Sequence, residues 1–211
     1  MFSFIAPEER FNVITHAIGV LFSVLITLYF FTNFSFDDPR VFIGIVVYCF
    51  SLIFLFSSST IYHAVSGKSK FTWRKIDHIA ILFLIAGSYT PVTLTVLYET
   101  SGLFILKGVW SIAALGFIFK IFYTGKYESF SLIMYLGLGW FILFYSKIVL
   151  NIFPASAIIY LVIGGLFYSA GVFFYKWKGY KESHAIWHIF VLLGAIFHAF
   201  MIRDILIAYI N

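Results

Sequence analysis

Apolar runs of about 20 residues recur along this chain, separated by short polar segments, and seven of them can be counted. A helix needs about that length to cross the hydrocarbon core of a bilayer. Of the 211 residues, 62% are hydrophobic and 11% are charged, and the mean hydropathy of +1.00 lies outside the range of water-soluble domains. The pattern therefore predicts an all-α integral membrane protein, built as a bundle of seven transmembrane helices.

The polar breaks give the approximate limits of each span. We predict spans at 12–32, 41–63, 78–98, 104–123, 130–150, 156–175 and 185–206. Since no linker, low-complexity tract or internal repeat interrupts this series, residues 1–211 are predicted to form a single domain. The first span is expected to be retained, because its apolar run is too long for a signal peptide and carries no small-residue cleavage pattern.

Lysine and arginine residues predict the orientation, since loops on the cytoplasmic side of a membrane carry their excess. With the N-terminus inside, ten of the fourteen basic residues fall in cytoplasmic segments. They are Arg10, Lys68, Lys70, Arg74, Lys75, Lys120, Lys126, Lys176, Lys178 and Lys181. We therefore expect a cytoplasmic N-terminus and an external C-terminus. Basic loops that face anionic lipid headgroups also explain the net charge of +5, which for this reason does not indicate nucleic-acid binding.

Glycines cluster in two of the predicted spans. In a lipid environment, small residues let helix backbones approach closely. We therefore predict close helix packing at Gly137 and Gly139 in the fifth span, and at Gly164, Gly165 and Gly171 in the sixth.

Ionisable side chains within or beside a membrane span are costly, so each of them is a functional hypothesis. Under the predicted topology, such residues lie near the cytoplasmic ends of the second, third and seventh spans. They are His63, Asp77, His78, His184 and His188. These residues can converge in one layer if the three helices are neighbours, which the prediction assumes.

The spacing of these residues suggests a metal site. His184 and His188 are four residues apart, which places both imidazoles on one helix face, and Ser59 and His63 have the same spacing. Three neutral imidazoles with one open position suit a catalytic Zn²⁺, while ligand type alone also admits Mn, Fe or Co. Structural alternatives stay open: packing for the histidines, a helix-start role for Asp77, and a hydroxyl bonded to its own helix for Ser59.

Three further histidines are left out of the predicted metal set. His78 points about 100° away from the aspartate that precedes it, so the two cannot face one centre. His198 is predicted to face the bundle interior about 15 Å from the metal, in a polar cavity, a proton path or a core hydrogen bond. His16 either supports the metal ligands from outside or has an interfacial structural role with its polar neighbours.

Four segments of the chain, in this order on seven spans, resemble the hemolysin III proteins of bacteria, a branch of the progestin and adiponectin receptor (PAQR) family. They are EERFNVITHAIG, SSSTIYH, KIDHIAILFLIAGSYTP and HAIWHIFVLLGAIFHAF. The resemblance covers essentially the whole chain. It implies a seven-helix receptor-like fold with a cytoplasmic N-terminus, in the plasma (inner) membrane of a bacterium, and a zinc ion near the inner face.

The resemblance also implies roles for individual residues. The family's zinc ligands, one histidine of the second helix and two of the seventh, correspond by motif to His63, His184 and His188. The family's serine and aspartate correspond to Ser59 and Asp77. A likeness to alkaline ceramidases implies a zinc-bound water that attacks the amide or ester carbonyl of a lipid. In that chemistry Asp77 is the general base, and Ser59 orients water or stabilises the oxyanion.

Functions of different classes follow from such a site. The first is a zinc-dependent hydrolase of a lipid amide or ester bond. The alternative is a non-enzymatic sensor or regulator of lipid homeostasis, in which zinc ties the second and seventh helices together. A haemolytic pore, implied by the family's name, is third, because uniformly hydrophobic spans are typical of a resident membrane protein. A membrane lipid, as substrate or ligand, is the expected partner in the first two cases.

Overall fold

The computed structural model describes residues 5–177, 179–180 and 182–210. These residues form 7 helices that are long and apolar enough to cross a membrane, and they contain no strand. The prediction of a seven-helix membrane bundle is confirmed. Lys178 and Lys181, which contribute to the predicted charge bias, lie outside the described residues.

Six of the seven spans follow the predicted limits to within six residues. The spans run Pro7–Asn33, Pro39–Ala64, Lys68–Leu94, Tyr98–Tyr123, Glu128–Ile152, Ala155–Lys176 and Ser183–Ile210. The first opens with a 3₁₀ turn at Pro7–Glu9, and the fourth with a π turn at Tyr98–Gly102. The remainder of each is α-helical, apart from a break in the fifth.

The third span is the one whose limits the sequence misplaced. Its helix begins at Lys68 instead of residue 78, and it ends at Leu94 instead of residue 98. The basic residues at its start were interpreted as a loop because they are charged. Long cationic side chains are nevertheless compatible with a helix that extends past the hydrocarbon, since their charged ends can reach the polar interface. The aspartate and histidine predicted to open this helix therefore lie well inside it.

The fifth span is broken in the middle. An α-helix at Glu128–Gly139 is followed by a 3₁₀ segment at Trp140–Tyr145 and a short α-helix at Ser146–Ile152. The Tyr89 hydroxyl, from the third span, lies 3.1 and 2.8 Å from the carbonyl oxygens of residues 138 and 139, and accepts the backbone N–H of residue 142 at 3.1 Å. Backbone groups released by a helix break at membrane depth need such partners, because lipid supplies none.

The third span forms the centre of the bundle. In its most apolar window 78% of the residues are buried, against 17% in the sixth span. It packs against the second, fourth, fifth and seventh spans, while the first span packs against both the second and the seventh. The third span is therefore a neighbour of both the second and the seventh, as the prediction assumes, whereas the second and the seventh spans are linked mainly through the first and the third. We call the end of the bundle where the first, third, fifth and seventh spans begin the histidine end.

Glycines bring the sixth span close to its neighbours. A Cβ added to Gly164, Gly165 or Gly171 would lie 2.3, 2.8 or 2.9 Å from the nearest atom of another span, so the predicted close packing is confirmed there. A Cβ on Gly137 or Gly139 would meet nothing within 4 Å. The prediction is wrong for these two glycines, because both are exposed at the surface of the fifth span.

Candidate metal centre

His63, His184 and His188 come together at the histidine end of the bundle. Each offers one ligand atom, and these atoms all lie within 4.8 Å of one another. The three ring centroids are 4.5, 4.9 and 5.2 Å apart. Imidazoles that share one tetrahedral metal ion, each bound through a nitrogen at about 2 Å, have ring centroids about 5 Å apart. The three side chains are therefore close enough to form a metal site.

The His63 ring is oriented by a carboxylate of the first span. Its Nδ1 lies 2.6 Å from Oε2 of Glu9. The same carboxylate accepts hydrogen bonds from the amide of Asn12 and the ammonium of Lys70, both at 2.8 Å. A carboxylate on one ring nitrogen fixes the orientation of a histidine and makes the other nitrogen a better metal ligand. That other nitrogen, Nε2 of His63, is buried without a hydrogen-bond partner among the described residues.

His188 repeats this arrangement with a different partner. Its Nδ1 lies 3.3 Å from the hydroxyl of Thr15, which donates its own hydrogen to the carbonyl of Phe11 at 2.9 Å. The hydroxyl oxygen can therefore accept the Nδ1–H of His188, which leaves Nε2 with a free lone pair. Nε2 of His188 is also buried, and no hydrogen-bond partner for it occurs within residues 5–177, 179–180 and 182–210.

The donor set fits a metal ion. Two buried, unpaired Nε2 atoms in one cluster are costly, and a cation bound between them would remove that cost. Imidazole nitrogens suit Zn²⁺, Fe and Co better than Ca²⁺ or Mg²⁺, which prefer oxygen ligands. His63, His184 and His188 would hold the ion.

The first span contributes more to this cluster than the sequence analysis assigned to it. His16 is 2% exposed, and its ring centroid lies 3.9 Å from that of His188. Glu9, Asn12 and His16 follow one another at spacings of three and four residues, which places them on one helix face. That spacing was a signal for a common role of these residues at the site.

A cavity lies beside the cluster, and Asp77, Ser59 and His16 all line it. Asp77 is buried nine positions after the first residue of its helix, so a helix-start role for it is wrong. Ser58 donates its hydroxyl hydrogen to a backbone carbonyl of its own helix, whereas Ser59 reaches the cavity. A molecule in the cavity would therefore contact both Asp77 and Ser59.

The cavity has a volume of about 130 Å³ and lies between the first, second, third, fifth, sixth and seventh spans. Along the third helix its wall extends from Asp77 to Tyr89, which is about 18 Å at 1.5 Å per residue. Most of the wall is apolar. His198 and Ser169 lie along it, and Nε2 of His198 is buried without a hydrogen-bond partner in the part of the chain that the structure describes. His198 therefore lies in the wall of a cavity, which is one of the three positions predicted for it.

His78, which also lines the cavity, belongs to a second polar cluster. Its Nδ1 lies 3.1 Å from Nζ of Lys120, which is fully buried and lies 3.5 Å from Oε2 of Glu128. Arg74 contacts the other oxygen of Glu128 at 3.4 Å. This cluster connects the third, fourth and fifth spans. Lys120 was interpreted as a cytoplasmic charge, because a buried partner for it is not visible in the sequence.

Comparisons with known proteins show the family of this chain. Residues 4–199 match the family model described as "Haemolysin-III related". A "Hemolysin-3 homolog" of Bacillus subtilis (strain 168) is 38% identical over 195 residues, which cover 91% of each chain. "Hemolysin-3" of Bacillus cereus is 34% identical over 190 residues, covering 89% of this chain and 87% of the relative. The human "Monocyte to macrophage differentiation factor" is 32% identical over 164 residues, which cover 74% of this chain and 67% of the relative. This multi-pass membrane protein belongs to the haemolysin-III related family.

Proposed function

We propose that this protein is a zinc-dependent hydrolase that cleaves an amide or ester bond of a membrane lipid. The observation that carries the proposal is the position of the three-histidine cluster beside a cavity that holds Asp77 and Ser59. A metal with three histidine ligands keeps a coordination position open for water or substrate, as in catalytic zinc sites. A carboxylate and a hydroxyl within the same cavity supply the remaining groups that hydrolysis requires.

The side chains of this site take distinct roles. A bound Zn²⁺ would polarise a carbonyl and lower the pKa of water at its open position. Asp77 accepts the proton that the attacking water loses, and returns it to the amine or alcohol that leaves. The Ser59 hydroxyl donates a hydrogen bond to the oxygen on which negative charge develops. Glu9 and Thr15 hold the rings of two ligands in orientation through Nδ1.

The cavity supports a lipid as the substrate. Its wall is largely apolar over about 18 Å of the third helix, and its acidic groups, Asp77 and Glu128, lie at the histidine end. An amphiphile whose tail lies along the apolar wall would present its polar linkage to Asp77 and Ser59. Binding energy from such a tail positions the reacting bond, which is a common use of remote contacts in catalysis.

Hydrolysis and metal content test the proposal together. Purified wild-type protein in nanodiscs is assayed for zinc by elemental analysis, and for fatty acid release from a ceramide and from a diacyl lipid by mass spectrometry. Asp77→Asn keeps the shape of the side chain and removes the proton acceptor, so turnover should fall by about 10²- to 10⁴-fold while zinc is retained. Asp37→Asn is the matched control, since Asp37 is exposed at the opposite end of the bundle. Full turnover by Asp77→Asn would remove Asp77 from the role of base.

A non-enzymatic sensor with a structural metal is the second candidate. The observation that favours it is that the histidine cluster joins the second and seventh spans, so a bound ion would stabilise the folded bundle. This function predicts that removing the metal from wild-type protein lowers the melting temperature, while neither lipid is consumed. Lipid turnover that requires the metal would exclude a purely structural role.

A further inference from the structure

His78 lines the cavity one residue after Asp77, and it takes no part in the proposed hydrolysis. The residue is 8% exposed, and neighbouring helices hold it in two places. The Tyr135 hydroxyl donates a hydrogen bond to its backbone carbonyl at 3.0 Å, and its Nδ1 lies 3.1 Å from Nζ of Lys120. His78 is therefore a fixed polar group in the wall of a cavity that fits a lipid.

Lys120 is a fully buried cation, and its neighbours favour its charged form. Its Nζ lies 3.5 Å from Oε2 of Glu128 and 5.7 Å from the centroid of the Tyr135 ring. A carboxylate and the face of an aromatic ring both stabilise an ammonium relative to a neutral amine. Burial of a charge is costly even when the charge is paired, so a chain that keeps one at this depth calls for a specific role of Lys120.

The contact with Lys120 determines which nitrogen of His78 carries a hydrogen. An ammonium has three donors and no lone pair, so Nδ1 of His78 must accept. In a neutral imidazole the hydrogen then lies on Nε2. This Nε2 forms no hydrogen bond in the part of the chain that the structure describes, yet, unlike Nε2 of His63 and of His188, it is not fully enclosed. His78 therefore offers a free N–H donor at the cavity.

We propose that Nε2–H of His78 donates a hydrogen bond to an oxygen in the polar head of a lipid bound in the cavity, and that Lys120 keeps this nitrogen a donor. The contacts of His78 with Lys120 and Glu128 place it toward the fourth and fifth spans, whereas the histidine cluster belongs to the second and seventh. The oxygen that it binds is therefore separate from the carbonyl at the metal. The preferred lipid carries such an oxygen in the alcohol or amine that hydrolysis releases. The inference rests on the proposed function in that a lipid must occupy the cavity.

Binding of matched lipid amides to wild-type protein in nanodiscs tests this preference. The probes are two pairs of octadecanamides, N-hydroxyethyl with N-propyl and N-methoxyethyl with N-butyl, in which the second member replaces the oxygen by carbon. Affinities are expressed per mole fraction of amide in the bilayer, and mass spectrometry of the intact amide detects any hydrolysis. Within each pair the oxygen-containing amide should bind about tenfold more tightly, which corresponds to one hydrogen bond. The methoxy compound keeps the preference because its oxygen only needs to accept.

Variants separate this hydrogen bond from a structural role. His78→Leu should bind both members of a pair equally, whereas His78→Gln, whose amide also donates, should keep part of the preference. ¹⁵N NMR of histidine-labelled wild-type protein should show a protonated Nε2 and an unprotonated Nδ1 for the signal that is absent from His78→Gln. Lys120→Met should reduce the preference and give a mixture of tautomers at His78. Lys75→Met is the matched control, since the Lys75 ammonium donates to the backbone carbonyl of Ile121, and it should change neither result.

The outcomes separate this inference from the proposed function. Equal binding within each pair by wild-type protein, or a protonated Nδ1 at His78, would overturn the inference and leave the hydrolase proposal standing. A preference for the oxygen-containing amides that His78→Gln shares, in protein that hydrolyses none of them, would support the inference while the proposed function fails. Failure of all four amides to bind would overturn both. If the His78→Leu and Lys120→Met variants do not fold, the binding series and the NMR spectrum of the wild-type protein decide.

Discussion

The carboxylate of Glu9 lies 2.6 Å from Nδ1 of His63, across the interface between the first and second spans. The contact joins two residues that are 54 positions apart in the chain. It directs Nε2 of His63 toward the two histidines of the seventh span, and it makes the first span part of the candidate metal centre.

Loss of this carboxylate should weaken metal binding. Glu9→Gln keeps the size of the side chain but removes the charge that supports His63, and such outer partners change metal affinity by about 10- to 100-fold. Zinc affinity, measured by competition with a chromophoric chelator, should fall within this range. Glu8→Gln is the control, since Glu8 is exposed, and should bind zinc like the wild-type protein. Equal affinities for all three proteins would show that Glu9 does not support the site.

The break in the fifth span should depend on Tyr89. Tyr89→Phe removes the hydroxyl that accepts the backbone N–H of Ile142 and contacts two carbonyl oxygens, leaving these groups unpaired at membrane depth. We expect a loss of about 1–3 kcal/mol in the free energy of unfolding, measured by titration with a denaturing detergent in mixed micelles. Tyr160→Phe, in a ring packed against Phe200, serves as the control and should change stability less. An unaltered unfolding midpoint for Tyr89→Phe would contradict the role of this hydroxyl.

Close packing of the sixth and seventh spans should make Gly164 intolerant of a side chain. In Gly164→Ala the new Cβ would lie 2.3 Å from Cδ2 of His198, so the ring or the helix must move. Overpacking of this kind costs about 1–3 kcal/mol. The control is Gly137→Ala, where a Cβ meets nothing within 4 Å, and its stability should be unchanged or higher. The comparison uses the same unfolding titration, and equal stability of the two variants would refute the expected clash.

The end of the bundle opposite the histidine end should lose stability in acid through Asp38. Hydrogen bonds from Arg40 and from the hydroxyl of Tyr209 lower the pKa of Asp38 from 3.8 to about 2. Because the pKa is lower in the folded state, the stabilisation is fully present above about pH 4 and is lost as the pH falls to about 2.

The melting temperature of Asp38→Asn should therefore lie below that of the wild-type protein between pH 5 and 8, and the difference should shrink as the pH drops below about 4. Asp37→Asn provides a control at the neighbouring exposed position. A difference that stays constant down to pH 2 would show that the ionised form of Asp38 is not the stabilising one.

The seven spans and the three clustered histidines were predictable because they depend on local patterns. Hydropathy over 20 residues reports whether a helix can cross a bilayer, and the four-residue spacing of His184 and His188 places them on one face whatever surrounds the helix. His63 was found by its depth, since the end of a span is visible in the sequence. The same reasoning misplaced the start of the third helix, because charge marks the edge of the hydrocarbon and not the end of a helix.

Contacts between helices were beyond the reach of these patterns. Three features join residues that are distant in sequence. They are the packing of the first span against the second and the seventh, the burial of Lys120 against His78, and the break of the fifth span beside Tyr89. Each depends on how the helices are arranged around the third, and hydropathy is the same for any arrangement that hides the same faces from lipid. In a bilayer the number and length of helices follow from the cost of exposing polar backbone, whereas their neighbours are chosen by close packing and by the pairing of a few buried polar groups.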